Sequence, residues 1–486
     1  MLTKIKQSAV KGMMWVGISQ GAQQFIRFAV NLVLARLLLP EDFGLVTMAS
    51  LFIGVILTFN ELGLSAGIVQ RKVINDGHIN SSFWASVAAG FLFCLLTILS
   101  APYVASFFQE SRLEQVVYTL SPIFILGGFM IIPRALLIRE LNFRNIGFIE
   151  ISVEFLSSML SIVLALSGYG LWSLVWKNLV GNVLLVIAYF FVSSWRPKLR
   201  FDIPEFKEIF AFSGNVLGSN IMGYAQMNID YLLVGKMFGS LELGLYTMAV
   251  QMTTFPLKRV SGVIADVLFP VFSRMQDDND KLKKGYLMTT RFVSLITFPA
   301  IAGLFIVSPE FVKVALGQRW GPIVPLLEIF CISGAVRSIT VLANSIFLSK
   351  GKSALAFKLN ILALVISAVA ILLAAPYGVI GVAIAMMIVS SVLFSIMQLI
   401  ANGIVSLKLR NYLSSIYPAF ASSIILLAAV YAFKQAVYLG HPLSASYLLV
   451  GSVLIGAAVY LVSIHLLYKN LVPDIKDLLS NILKKK

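Results

Sequence analysis

The sequence predicts an all-helical integral membrane protein of about fourteen transmembrane helices. Of its 486 residues, 59% are hydrophobic and only 12% are charged, which is about half the charged fraction of a typical soluble domain. The charges lie between apolar runs of roughly 20 residues, the length that crosses about 30 Å of hydrocarbon as a helix. Alternation with a period of two is absent from these runs, so the sequence excludes an outer-membrane β-barrel.

Each apolar run is interpreted as one membrane span. The first run is too long for a cleavable signal peptide and contains Arg27, so we expect it to remain in the protein as a helix. The spans are predicted near residues 12–37, 43–69, 82–108, 113–138, 148–168, 170–194, 208–236, 241–270, 286–307, 320–348, 354–374, 378–402, 411–433 and 443–468.

The basic residues predict how the chain lies in the membrane. Lysines and arginines fall predominantly in alternate connecting segments, of which 195–207 and 271–285 are the longest. Such segments usually face the cytoplasm. This distribution predicts an inner-membrane protein with both termini in the cytoplasm. It also accounts for the net charge of +16 without nucleic-acid binding.

An internal repeat divides the chain. The residues GLVTMA at 44–49 return as GLYTMA at 244–249, and the Tyr-Gly pair at 169–170 returns at 377–378. Equivalent helices are six spans apart, so both halves face the same way across the membrane, as in parallel repeats related by an axis along the membrane normal. We therefore predict two parallel six-helix repeats followed by two additional helices. The corresponding divisions are 1–200, 201–405 and 406–486, the last with a basic tail.

Polar residues inside the predicted spans are the candidate binding residues. Charges at membrane depth are costly and generally face a cavity or a partner. One face of the first span is polar, and the eighth and tenth spans carry further cations. The candidates for substrate binding are Gln20, Gln24, Arg27, Asn31, Lys258, Arg259 and Arg337. Gln23 shares the polar face of the first span. A hydrogen-bonded seam between helices is the alternative interpretation.

The acidic residues in the spans have two interpretations. Some are expected to form ion pairs with the embedded cations, and others to carry protons or sodium ions. The candidates for ion coupling are Glu61, Asp230 and Asp266. Arg134 and Lys177 lie nearer the ends of their spans, where extension of the side chain towards the interface accounts for them. No catalytic residue, metal site or cofactor is predicted.

The chemistry of these side chains suggests a class of cargo. The planar guanidinium group of arginine matches phosphate oxygens, and the amides of glutamine and asparagine match sugar hydroxyls. A basic, amide-lined cavity between two helical halves therefore suits an amphipathic glycolipid that is linked through phosphate.

Six segments resemble a known family when they are taken in order. They are LARLLLPEDFGLVTMA at 34–49, ELGLSAGIVQRK at 61–72, LNFR at 141–144, MNIDYLLVGKMFG at 227–239, LGLYTMAVQM at 243–252 and PLKRVSGVIADVLFPVFSRMQ at 256–276. With these segments, nearly the whole chain resembles polysaccharide flippases of the multidrug/oligosaccharidyl-lipid/polysaccharide exporter superfamily, in the branch of colanic acid and teichuronic acid exporters.

The resemblance implies a function and a set of partners. It implies that an undecaprenyl-diphosphate-linked oligosaccharide is moved from the cytoplasmic to the outer leaflet by alternating access, through a cationic central cavity, for exopolysaccharide or lipopolysaccharide synthesis. Membrane lipids would surround the protein, and a polysaccharide polymerase would act downstream. The resemblance does not identify the glycan.

Three other functions require features that can be compared with this sequence. A flippase for the lipid-linked peptidoglycan precursor would also carry a diphosphate, and only the motifs above argue against it. An exporter of cationic drugs would need a carboxylate-lined cavity, whereas Arg27 and Arg337 are central in their spans. A membrane-embedded glycan-processing enzyme acting on the outer side usually has a large outer loop, and no predicted loop exceeds about twenty residues.

The predicted topology can be tested with reporter fusions. A reporter at Lys486 should report the cytoplasm, and one within residues 435–442 the opposite side, because the basic segments set the orientation. Alkaline phosphatase and green fluorescent protein activities would distinguish the two sides. The topology is wrong if both fusions report the same side.

Overall fold

A computed structural model of the protein describes residues 2–60, 64–71, 73–257, 272, 275–276, 278–439 and 444–468. Every long regular element in these ranges is an α-helix. The helices are α1 (Leu2–Leu37), α2 (Pro40–Asn60), α3 (Leu64–Gln70), α4 (Asp76–Phe108), α5 (Ser111–Leu120), α6 (Ile123–Arg139), α7 (Phe143–Leu166), α8 (Leu171–Val192), α9 (Ile203–Leu257), α10 (Asn279–Phe311), α11 (Ile323–Ser349), α12 (Ser353–Ala374), α13 (Gly378–Ile404), α14 (Leu409–Leu439) and α15 (Ala445–Leu467).

The predicted all-helical membrane fold is confirmed. Within the described ranges, ten helical stretches are long and apolar enough to cross a membrane. One of them, Ala354–Ile404, contains both α12 and α13, which a short 3₁₀ turn at Ala375–Tyr377 separates. Every predicted span overlaps a helix, although the span at 241–270 is described only as far as residue 257. The number of helices that actually cross remains a prediction.

Helix α9 is bent where the sequence separates two spans. Gly239 has φ 81° and ψ −173° inside the 55-residue helix, so the backbone leaves the helical conformation there. This left-handed φ is accessible to glycine because it lacks a Cβ atom. The kink divides α9 into two arms that correspond to the predicted spans at 208–236 and 241–270.

Equivalent corners of the two repeats share a backbone conformation. Gly170 (φ 52°) and Gly378 (φ 73°) both follow a tyrosine and both start a helix. At another pair of corners, Gln109 (φ 58°) ends α4 and Gly317 (φ 98°) ends the helical segment after α10. Matching left-handed residues at matching corners agree with the internal repeat found in the sequence.

The chain forms two compact units. The first contains Met1–Thr247 and Ser367–Val379, and the second contains Met248–Ile366 and Ile380–Lys486. In the first unit α7 packs against both α1 and α8, and α4 packs against α6. In the second, α10 packs against α11 and α14. The division at residues 200 and 405 that the repeat suggests stays a prediction.

The additional C-terminal helices are fastened to α10 by polar contacts. The Lys434 ammonium group of α14 lies 2.6 Å from the Glu310 carboxylate, and both side chains are buried. Lys434 also donates to the carbonyl of Ile306. From α15, the Tyr460 hydroxyl donates to the carbonyl of Leu295 at 2.7 Å. A buried charge needs such compensation, so the polar contacts fix where α14 and α15 pack.

Within the first unit, α2 crosses α9 at two glycines that the repeat relates to each other. A Cβ atom added to Gly44 would lie 1.8 Å from the Ser240 carbonyl oxygen, and one added to Gly244 would lie 1.9 Å from the Pro40 carbonyl oxygen. Pro40 and Ser240 are themselves equivalent by the repeat. Contacts that are reciprocal in this way are typical of a two-fold axis.

This crossing predicts that valine at either glycine destabilises the fold. Gly44→Val or Gly244→Val forces two backbones apart, which should cost about 2 kcal/mol or more. The measurement is the thermal unfolding temperature of the purified protein in detergent. Gly223→Val is the matched control, because a Cβ atom there would meet nothing within 4 Å. Unfolding temperatures equal to that of the control would contradict the prediction.

Candidate functional site

The polar face of α1 is held against α7 by close packing. Gly147 of α7 lies so near Ser19 of α1 that an added Cβ atom would come within 2.9 Å of the serine Cβ. Nearer the start of α1, a Cβ atom on Gly12 would lie 2.5 Å from the ring of Phe143. Small residues allow helices in a membrane to approach closely. This approach brings Arg27 within reach of acidic residues on α7.

A polar pocket of about 310 Å³ lies in the first unit, lined by residues of α1, α6, α7 and α8. Each of the four helices contributes at least one side chain that carries a charge or a hydrogen-bonding group. The polar side chains that line it are Gln23, Arg27, Arg134, Glu150, Glu154, Ser157, Lys177, Asn178, Asn182 and Tyr189. The pocket therefore combines cations, carboxylates, amides and hydroxyls.

Glu154 is the most enclosed charge of this pocket. Its side chain is only 10% exposed, and it accepts a hydrogen bond of 2.7 Å from Arg27 Nε. The Lys177 ammonium group of α8 lies 3.2 Å from its other oxygen and is 16% exposed. The Arg27 side chain, in contrast, is 52% exposed. Two cations therefore compensate one carboxylate, and one of the two also faces open space.

Glu150 lies one helical turn before Glu154 and has its own set of partners. It accepts hydrogen bonds from Gln23 Nε2 at 3.2 Å, from the Tyr189 hydroxyl at 3.0 Å and from Arg134 Nη2 at 3.3 Å. Arg134 Nε contacts the same oxygen at 3.4 Å. The Arg134 side chain is 43% exposed and that of Glu150 is 23% exposed. Like Arg27, Arg134 thus combines a carboxylate contact with a large exposed surface.

The formal charges of the pocket leave one positive charge in excess. Arg27, Arg134 and Lys177 are the cations, and Glu150 and Glu154 are the carboxylates. Around them the amides of Asn178 and Asn182, together with Gln23, offer both donors and acceptors. An arrangement with exposed guanidinium groups and amides can bind an anionic group next to sugar hydroxyls.

Of the predicted binding residues that the structure describes, only Arg27 lines the pocket. Arg27 lines the pocket, whereas Gln20, Gln24 and Asn31 lie on α1 outside its lining. Arg337 is exposed on α11 in the second unit. Lys258 and Arg259 lie outside the described residues.

Of the predicted ion-coupling residues, only Asp230 lies in the described part of the chain. It accepts a hydrogen bond of 3.2 Å from the Tyr246 hydroxyl, within α9. Glu61 and Asp266 lie outside the described ranges. The assignment of these three residues to ion coupling remains a prediction.

Sequence reasoning predicted ion pairs between embedded acids and cations but did not identify the partners that meet in this pocket. Arg134 and Lys177 were expected to extend towards the membrane interface, but both contact glutamates of α7. The periodicity that identified the face of α1 was also present in α7, where Glu150, Glu154, Ser157 and Ser161 share one face. Applied to α7, the same spacing would have predicted that these glutamates face polar partners.

Solved structures with a similar fold are membrane transporters. The lipid II flippase MurJ in its inward closed conformation matches 95% of this chain and 100% of its own, with a TM-score of 0.74 and 14% sequence identity. At this level of identity the likeness concerns the fold. The chain thus has the fold of an all-α membrane transporter.

The sequence comparisons are more specific. Residues 33–325 match the model of the polysaccharide biosynthesis protein family, and the chain belongs to that family. The lipopolysaccharide biosynthesis protein WzxC of Escherichia coli K12 is 26% identical over 442 residues, 88% of either chain. The teichuronic acid biosynthesis protein TuaB of Bacillus subtilis is 28% identical over 367 residues, 74% of this chain and 75% of its own. The predicted family resemblance is confirmed.

The ion pairs of the pocket predict a stability difference between two glutamate variants. Glu154→Ala leaves the enclosed Lys177 ammonium group without its carboxylate, which should cost about 2 kcal/mol or more of unfolding free energy. Thermal unfolding in detergent would measure this loss. Glu41→Ala is the matched control, because Glu41 pairs with Arg112 where both side chains are exposed, and such pairs contribute little. The prediction fails if both variants unfold alike.

Proposed function

We propose that the protein moves an undecaprenyl-diphosphate-linked oligosaccharide from the cytoplasmic to the outer leaflet of the plasma membrane. The observation that carries this proposal is the match of residues 33–325 to the polysaccharide biosynthesis protein family. The relatives WzxC and TuaB are named for lipopolysaccharide and teichuronic acid synthesis. The exported repeat unit would serve exopolysaccharide or lipopolysaccharide synthesis.

Transport rather than catalysis is supported by the fold. A solved structure that matches the fold is a lipid II flippase, and the predicted mechanism for a chain of two parallel helical repeats is alternating access. The protein is therefore proposed to be a carrier that exposes its cargo site to each side of the membrane in turn, without changing the cargo covalently.

The pocket of the first unit supports an anionic, hydroxyl-rich cargo. Arg27 presents a guanidinium group that is half exposed, next to the amide of Gln23. The diphosphate would contact the guanidinium group, and the amides at the pocket would contact the first sugars. Lys258, Arg259 and Arg337 are proposed to contribute further positive charge to the cargo path, with Gln20, Gln24 and Asn31 contributing polar groups along α1.

The charge distribution supports a proposal for the cellular setting. We propose that the multi-pass protein lies in the bacterial plasma membrane with both termini in the cytoplasm, because the basic segments favour that orientation. A polysaccharide polymerase on the outer side would consume the flipped repeat units. Glu61, Asp230 and Asp266 are the proposed carriers of the coupling ion.

The peptidoglycan precursor is the alternative cargo. Its headgroup also carries a diphosphate, and the likeness to MurJ extends over 95% of the chain. Deletion of the gene, followed by mass spectrometry of the lipid-linked saccharides, would separate the two functions. Accumulation of a lipid-linked polysaccharide repeat unit with normal peptidoglycan precursor is the expected result. Accumulation of the peptidoglycan precursor alone would refute the proposal.

If the guanidinium group of Arg27 binds the diphosphate, export should depend on this side chain. Arg27→Ala should abolish polysaccharide export, and Arg27→Lys should retain part of it, because lysine keeps the charge but loses the planar fork of donors. Complementation of the deletion strain would measure export, with protein abundance determined in the same membranes.

Arg112→Ala is the control for this experiment, since Arg112 also pairs with a glutamate, at 3.2 Å, but lies outside the pocket. It should export normally. Full export by Arg27→Ala at normal abundance would show that Arg27 does not bind the cargo.

A further inference from the structure

We propose that Arg134 is the second phosphate-binding residue of the pocket, and that Arg27 and Arg134 each engage one phosphoryl group of a diphosphate. Glu154 and Glu150 are the positioning residues that hold these two guanidinium groups. The inference rests on the proposed function and names the feature of the cargo that this pocket selects, namely two linked phosphoryl groups rather than one.

The first argument is that the two arginines occupy equivalent settings in one pocket. Arg27 comes from α1 and Arg134 from α6, and both line the same cavity. Each contacts one glutamate of α7 through its Nε atom, and the two side chains are 52% and 43% exposed. Lys177 differs, because it is only 16% exposed and faces Glu154. The two guanidinium groups are thus the charges that this pocket offers to a ligand.

The second argument concerns which nitrogen atoms remain available. In Arg27 the contact with Glu154 uses Nε, and in Arg134 the contacts with Glu150 use Nε and Nη2. Arg27 Nη2 also donates to the Gln23 amide oxygen at 3.5 Å, and Arg134 also interacts with the Tyr189 hydroxyl. A guanidinium group carries five N–H donors, more than these contacts use in either arginine. The glutamates therefore fix the inner edge of each guanidinium group and leave terminal donors for an anion. Holding donors in place before binding reduces the entropy that binding costs.

The third argument is the spacing of the two glutamates that hold the arginines. Glu150 and Glu154 are four residues apart on α7, so their Cβ atoms lie about 6 Å apart on the same helix face. Two guanidinium groups anchored one helical turn apart can contact neighbouring phosphoryl groups that share a bridging oxygen. Each phosphoryl group of an esterified diphosphate carries one negative charge and two terminal oxygens. A monophosphate diester offers only one such group, so it would engage one of the two arginines.

The test compares two ligands with purified, full-length protein in nanodiscs. The probes are a polyprenyl diphosphate sugar and a polyprenyl monophosphate sugar with the same prenyl chain and the same sugar. Wild-type protein should bind the diphosphate probe about tenfold more tightly, because it forms the additional charge-assisted hydrogen bonds. Arg134→Gln should remove this preference while changing the affinity for the monophosphate less than about twofold, and Arg134→Lys should retain part of it.

The role of Glu150 is tested by a double-mutant cycle. Glu150→Gln should reduce the preference for diphosphate in the wild-type background and have no further effect when Arg134→Gln is present. A merely structural role would lower the affinity for both probes equally. Arg112→Gln is the control that removes an arginine–glutamate pair outside the pocket, and it should bind both probes like the wild type.

The outcomes separate this inference from the proposed function. If Arg27→Gln weakens the binding of both probes but Arg134→Gln leaves the preference for diphosphate intact, Arg134 is not a phosphate ligand and the inference is overturned. If neither probe binds wild-type protein, the proposed cargo is wrong and the inference falls with it. Unfolding temperatures of Arg134→Gln and Arg134→Lys, measured in the same nanodiscs, show whether either variant has lost its fold. Because Arg134→Lys keeps the positive charge, its binding to the two probes provides a second test.

Discussion

The enclosed carboxylate of Glu154 is the constraint on which the first unit depends. With one tenth of its side chain exposed, it needs compensating charge, and it receives this from Arg27 of α1 and Lys177 of α8. The same helix presents Glu150 to Arg134 of α6. The two glutamates on one face of α7 therefore pair with cations from three neighbouring helices, and these ion pairs form the polar pocket.

Much of the fold was predictable because membrane insertion imposes simple rules. Backbone polar groups must be paired inside each segment, so apolar length alone located the helices. The break between two spans near residue 239 was also correctly located, and Gly239 supplies its physical cause. The corner glycines at 170 and 378 match the repeat that the sequence contains.

The pocket was less predictable because its partners are distant in sequence. Arg27 has no acidic residue within one turn of α1, yet Glu154 reaches it from 127 residues along the chain. Periodicity shows which side of a helix is polar but does not show which other helix it faces. Because Arg134 and Lys177 lie near the ends of their spans, the sequence favoured side chains that extend to the membrane interface. Only helix packing reveals their glutamate partners.

The reciprocal crossing at Gly44 and Gly244 has a consequence for how the two repeats diverge. Where Arg27 stands in one repeat, Met227 stands in the other, so the two copies differ in charge at this position. At the crossing, each glycine packs against the backbone of the other repeat, so a larger residue at either position would collide with that backbone. Natural selection therefore acts on both glycines at once, and these positions should be among the slowest to drift apart after the duplication.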